Sequence, residues 1–271
     1  MDGAWRQRGL AAAKRIVRRV HSVRFSAQQR AHFAALLIVA VAFPLLADDV
    51  SFDPTITQAD FRTFSRIVGQ GIFATPVQPA RTTGLLGFDV GIAATAVKVN
   101  TNASYWQRAV PATSNFTTHG YAAVPRLVVS KGFGAGTISG SYAKVNSSGI
   151  KTWGGSLDLP IVRGSILSPE LALRASYATL SGVDVFKLKT YGLELFLSKG
   201  FGPVMPYGAI GKMRTDSRGT IPGTPEVTLT DRGDFNRYTL GVRFSLLIPK
   251  LVVEATQAQV RSYSAKISVG F

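Results

Sequence analysis

Beyond Thr83, apolar and polar residues alternate with a period of two, most regularly between Phe235 and Phe271. Tyr238, Leu240, Val242, Phe244 and Leu246 share one face there, and Arg237, Thr239, Gly241, Arg243 and Ser245 the other. A pleated strand sends such neighbours to opposite sides, whereas a helix would scatter them. The last segment repeats the pattern, with Tyr263, Ala265, Ile267, Val269 and Phe271 against Ser262, Ser264, Lys266, Ser268 and Gly270. Read in this way, strands are expected at about 83–100, 121–132, 135–147, 150–162, 170–180, 185–198, 204–215, 235–248, 251–258 and 261–271. Each is near the roughly 9 to 11 residues that a tilted strand needs to cross a bilayer. The fold class expected is all-β, an antiparallel transmembrane β-barrel of about ten strands over 83–271, with 8 or 12 strands as alternatives.

The alternating segment that ends on Phe271 resembles the closing strand of bacterial outer-membrane β-barrel proteins, whose final aromatic belongs to the signal read during assembly. The resemblance implies an outer-membrane location and, as partners, the membrane's lipids and lipopolysaccharide and the barrel-assembly machinery, with Phe271 as the assembly signal. With the first strand entered from the periplasm, the long connections 101–120 and 216–234 face outward. The two SKGFG copies, 130–134 and 198–202, and the IPK of 248–250 then form short periplasmic turns. Long outer loops over short inner turns are the asymmetry such barrels show.

The N-terminus adds a leader. A basic run ending at Arg30 precedes an apolar stretch, Ala34 to Ala47, too short for the roughly 20 residues of a membrane-spanning helix. Residues 1–47 are expected to be a cleaved signal peptide. Residues 48–82 are expected to be a periplasmic lead-in with one short helix. Thr57 and Asp60 have capping-box spacing, Phe61, Phe64, Ile67 and Val68 form one apolar face, and Gly69 and Gly71 stop the helix. Such a helix would pack against the base or mouth of the barrel; the alternative is a plug in the lumen.

Charge changes the picture less than its size suggests. The formal net charge is +16, but eight of the 31 basic residues lie in the leader; without residues 1–47, 23 basic and 14 acidic side chains remain, a balance of +9. The basic residues are dispersed through the strands, so nucleic acid is not an expected partner. The polar face that alternation turns inward carries Asp89, Arg126, Asp158, Arg174, Glu194, Lys212, Arg243, Glu254 and Lys266. These charges are read as an interior network tying the wall together or, alternatively, as the lining of a narrow passage for ions or small polar solutes. Aromatics at strand ends, among them Tyr105, Trp106, Phe133, Tyr142, Phe201 and Tyr207, suit the membrane interface.

Catalytic signatures are thin. His21 and His32 fall in the leader, leaving His119; no spacing pairs it with Ser104 or Ser114 as base and nucleophile. Asp216, Glu226, Asp231 and Asp234 could bind calcium weakly if their loop folded them together. The chain has no cysteine, and no catalytic residue, metal site or cofactor is assigned. Residues 60–97, with LGFDVG at Leu86 to Gly91, resemble the start of a family of uncharacterised exported proteins of Gram-negative bacteria. That likeness implies an exported barrel and transfers no activity. The function expected is a structural or surface-interaction role. A narrow channel and a lipid-modifying or hydrolytic enzyme remain as alternatives.

Overall fold

Ten long strands close on themselves as an antiparallel barrel. The computed structural model describes residues 50–80, 84–112, 117–145, 148–165, 168–221, 223, 225–246 and 248–271. The expected leader, with His21 and His32, lies outside them, as does Ser114. The wall consists of β1 (Phe88–Lys98), β3 (Tyr121–Gly132), β4 (Thr137–Lys144), β5 (Lys151–Val162), β6 (Glu170–Ser181), β7 (Phe186–Ser198), β8 (Val204–Ile221), β9 (Val227–Ser245), β10 (Pro249–Gln257) and β11 (Arg261–Gly270). A two-residue β2 (Thr117–Thr118) lies against the start of β3. β1 pairs on both sides, with β11 from Asp89↔Gly270 to Val97↔Ser262 and with β3 from Phe88↔Lys131 to Lys98↔Tyr121. This double pairing closes the sheet. At the seam Phe88 and Phe271 exchange two backbone hydrogen bonds of 2.9 and 3.0 Å, and their rings meet edge to face at 4.6 Å.

The wall inverts the usual distribution of polarity. Ile92, Leu127, Trp153, Leu193, Leu197, Ile210, Leu240 and Ile267 are exposed on the outside, while Thr190, Arg174, Glu194 and Ser139 are buried inside. Aromatic rings mark both limits of this apolar belt. Tyr177 lies between Trp153 at 5.8 Å and Tyr191 at 5.2 Å, and Tyr121 approaches Tyr263 at 6.1 Å, toward the end carrying the long connection 99–120. Phe88, Phe133, Phe201 and Phe271 are exposed at the seam end. Tyrosine, tryptophan and phenylalanine at these levels suit membrane–water boundaries.

Two expectations change. The polar stretch 216–234 is not a loop, because β8 and β9 continue as one hairpin to Ile221↔Val227. On its outer face Arg214 pairs with Asp234 at 2.6 Å and Arg232 with Asp216 at 2.7 Å. Period-two polarity is hidden where a strand rises past the apolar belt, because its outer face then meets water and carries charges. The helix, α1 (Gln58–Ile72), packs neither under nor beside the barrel but inside it. Phe61 contacts Gly219 near the loop end, Phe73 contacts Gly192 midway, and Gln78 bonds Ser130 and Lys266 toward the seam end. Residues 50–80 therefore descend through the lumen from the mouth bearing the long connection to the one where β1 begins.

The capping box forms as expected. Asp60 N–H donates to Thr57 Oγ1 at 3.1 Å, and Thr57 N–H donates to the Asp60 carboxylate at 3.4 Å. Gly69 and Gly71 do not end the helix, which runs on to Ile72. They let it approach the wall: a Cβ on Gly69 would lie 2.5 Å from Thr215 Cγ2, and one on Gly71 3.4 Å from Val97 Cγ2.

Candidate functional site

The plugged lumen has two storeys. At the loop end, Phe52, Phe61, Phe64 and Phe186 interlock at centroid distances of 5.5 to 6.1 Å, mostly edge to face. Trp106 of α2 (Ser104–Gln107) joins Phe64 at 6.1 Å. Trp106 is thus buried in the cap over α1 and not placed at the membrane interface as its sequence position suggested. Edge-to-face pairs of this kind contribute roughly 0.5–1.5 kcal/mol each beyond the area they bury. Asp60 fastens the same end, accepting from Ser104 Oγ at 2.6 Å and from Arg108 at 2.8 Å.

The polar side of α1 reads the opposite wall. Arg66 forms a two-pronged ion pair with Asp231 at 2.8 and 3.1 Å, Arg62 reaches the same carboxylate at 3.3 Å, and Gln58 donates to Thr230 O at 2.7 Å. Gln70 donates to Val260 O and accepts from Val260 N–H, bracketing the turn between β10 and β11.

Below the helix, residues 73–80 run through a layer of buried charges. Arg126 donates to Phe73 O at 2.7 Å and to Thr95 Oγ1. Arg174 is fully buried; it pairs with Asp158 at 2.6 and 2.8 Å, donates to Gln78 O at 3.1 Å and lies 4.3 Å over the Phe196 ring. Arg237 pairs with Glu194 at 2.9 Å and lies 4.7 Å over Phe73. Lys266 donates to Gln78 Oε1 at 2.7 Å and to Asp89 at 2.9 Å, while Tyr207 donates to Glu254 at 2.6 Å. Val77, fully buried at this bend, has φ of +49°, a conformation unfavourable for a β-branched residue and held by its surroundings.

Of the nine charges expected inside, Asp89, Arg126, Asp158, Arg174, Glu194, Glu254 and Lys266 are buried and Arg243 is half-buried. Lys212 is a correction: in the register of β8 it stands on the outer face, exposed, beside Leu193. Tyr207 is another, since it points inward to Glu254 instead of standing in an aromatic belt. Sequence reasoning missed Arg237, which strand parity alone would have placed inside, and Lys250, which reaches Asp89 at 3.3 Å from the start of β10. It also missed Gln78, whose polar partners come from strands far away in sequence.

The arrangement builds a latch. His119 is exposed in the β2–β3 turn with φ of +51°, and Ser104 spends its hydroxyl on Asp60. Among the described residues no three His, Cys, Asp or Glu side chains come together to hold a metal ion. Asp216, Asp231 and Asp234 are divided among separate arginine pairs.

No family model and no curated protein matches the chain. Among solved structures, the N-terminal β-barrel domain of Pseudomonas aeruginosa OprF is similar at 12% identity and a TM-score of 0.33, covering 71% of this chain and 98% of that one. Neisserial surface protein A is similar at 13% identity and 0.29, covering 68% and 97%. The attachment invasion locus protein Ail of Yersinia pestis is similar at 12% and 0.27, covering 68% and 94%. The fold stands on the strand pairing and not on these similarities.

Proposed function

We propose that the chain is a closed outer-membrane barrel whose N-terminal segment plugs it, with a structural or surface-interaction role and no transport path. The observation that carries this reading is the passage of α1 and residues 73–80 through the lumen, with buried Arg126, Arg174 and Lys266 bonded to them. A polar passage would need those charges hydrated; here Arg126, Arg174 and Lys266 are spent on Phe73 O, Gln78 O and Gln78 Oε1. The belt of outward leucine, isoleucine and valine between two aromatic levels supports the membrane location. Phe271 in the seam supports its role as the residue offered to the assembly machinery.

Above the belt, the outer face of β7, β8 and β9 carries Lys187, Lys189, Arg214, Arg218 and Arg232 against Asp216 and Asp234, with Lys212 beside Leu193 just below them. That excess of cations suits the phosphates of lipopolysaccharide. Planar-bilayer recording tests the plug. The whole protein is expected to show no stable conductance, and a variant lacking residues 58–80 is expected to show discrete steps. Large steady steps from the intact protein would overturn the reading.

A further inference from the structure

Among the described residues, the ladder between β3 and β4 is interrupted. β3 pairs with β1 along its whole length, but with β4 only from Leu127↔Tyr142 to Gly132↔Thr137. Its first two residues are taken by β2. Ala123, Val124, Pro125 and Arg126 therefore have no strand partner on the β4 side among the described residues, a gap of about 13 Å at roughly 3.3 Å per residue. Ala143 and Lys144 continue β4 beyond Tyr142 and pair only with β5. Pro125 sits in the middle of the gap, and proline, having no N–H to donate, belongs at such an edge.

Behind the gap lies a cavity of about 90 Å³. Consecutive residues line it from both strands, Ala122 to Pro125 and Ala143 to Val145, together with Ile67, Val97 and Trp106. In an intact strand only alternate side chains face inward; neighbours do so here because the cavity runs through the wall. The side chains around it are apolar apart from Lys144, Thr152 and the Trp106 indole. A space several times the roughly 10–15 Å³ that one water needs, with so few polar partners, is poorly suited to water.

The opening lies in the aromatic level, between Tyr142 and the Tyr121–Tyr263 pair. At its rim Lys144 stands directly across from Lys151, both exposed. Like charges so placed are destabilising unless an anion lies between them.

We infer that this cavity takes an acyl chain of an anionic membrane lipid, which enters sideways through the β3–β4 gap and leaves its phosphate headgroup at Lys144 and Lys151. The inference rests on the membrane location proposed above, and the test separates the two. Trp106 lines the cavity, whereas Trp153 faces outward, so each can be made the reporter in full-length protein by replacing the other and Trp5 with phenylalanine. The protein is reconstituted into vesicles of phosphatidylglycerol with brominated acyl chains, and tryptophan quenching is read. Both tryptophans are expected to be quenched. Val124→Phe, or Val145→Phe if the first does not fold, should remove most of the Trp106 quenching and spare that of Trp153. Lys144→Glu with Lys151→Glu should weaken Trp106 quenching by brominated phosphatidylglycerol but not by brominated phosphatidylcholine. Quenching of Trp153 without Trp106, or Trp106 quenching indifferent to cavity filling, overturns the lipid site alone. Quenching by brominated free fatty acid but not by brominated phospholipid overturns the lipid as its source, and loss of quenching at both tryptophans overturns the membrane location itself.

Discussion

Glu194 and Leu195 are adjacent yet face different media. Glu194 is buried against Arg237, and Leu195 is turned outward. Glu194→Leu strands the Arg237 guanidinium, and breaking a buried pair costs about 3–5 kcal/mol; calorimetry should show a lower unfolding temperature. Adding Arg237→Met should recover much of that loss, since removing both charges leaves neither unpaired. Leu195→Arg should instead impair insertion, because a basic residue facing lipid costs roughly 2–4 kcal/mol near the midplane. Asp60, at the mouth, responds to acid. Partial burial opposes its ionisation, but hydrogen bonds from Ser104, Thr57 and Arg108 prevail and hold its carboxyl below the ordinary 3.8. Its contribution to stability is therefore fully present above pH 3.8 and is lost as pH falls through the lowered value. Thermal unfolding followed across that range should show an acid-dependent step that Asp60→Asn removes.

The strands were legible in the sequence because one face of each meets lipid and the other meets the plug, so period-two alternation survives along the wall. The β8–β9 hairpin was not, since above the belt its outer face carries Arg214, Asp216, Arg232 and Asp234 and reads as loop. The helix was found, cap included, but its place was not. An apolar stripe of Phe61, Phe64 and Ile67 looks the same whether it packs under a barrel or inside one, and Gly69 and Gly71 look like stop signals until the wall beside them is known. Apart from Lys212, the inner charges followed from the alternation, whereas their partners depended on residues 73–80, whose course through the lumen no period-two pattern reveals. The close approach at Gly69 has a direct test. Gly69→Ala forces its methyl against Thr215 Cγ2, and such overpacking typically costs about 1–3 kcal/mol. Thr215→Ser, which deletes the opposing methyl, should restore most of the lost stability in the double variant, as read by chemical unfolding.

At the scale of the whole molecule, the plug belongs to the same chain as the wall and lies ahead of β1 in sequence, yet its first described residues stand at the mouth opposite the one where β1 starts. This sets an order of events. Once β1 has zipped to β11, residues 50–80 can reach their place only by drawing a free end lengthwise through a passage that the Arg174–Asp158 and Arg237–Glu194 pairs already narrow. The economical route is for the wall to curl around the segment, making seam formation the last step and the plug a template for curvature. Refolding kinetics can time this. The Trp106 signal, which reports the cap over α1, is expected to mature no later than the heat-resistant, fast-migrating form that reports closure. A synthetic peptide of residues 50–80 added after closure should fail to block the conductance of the barrel that lacks them, whereas the same peptide present during refolding should block it.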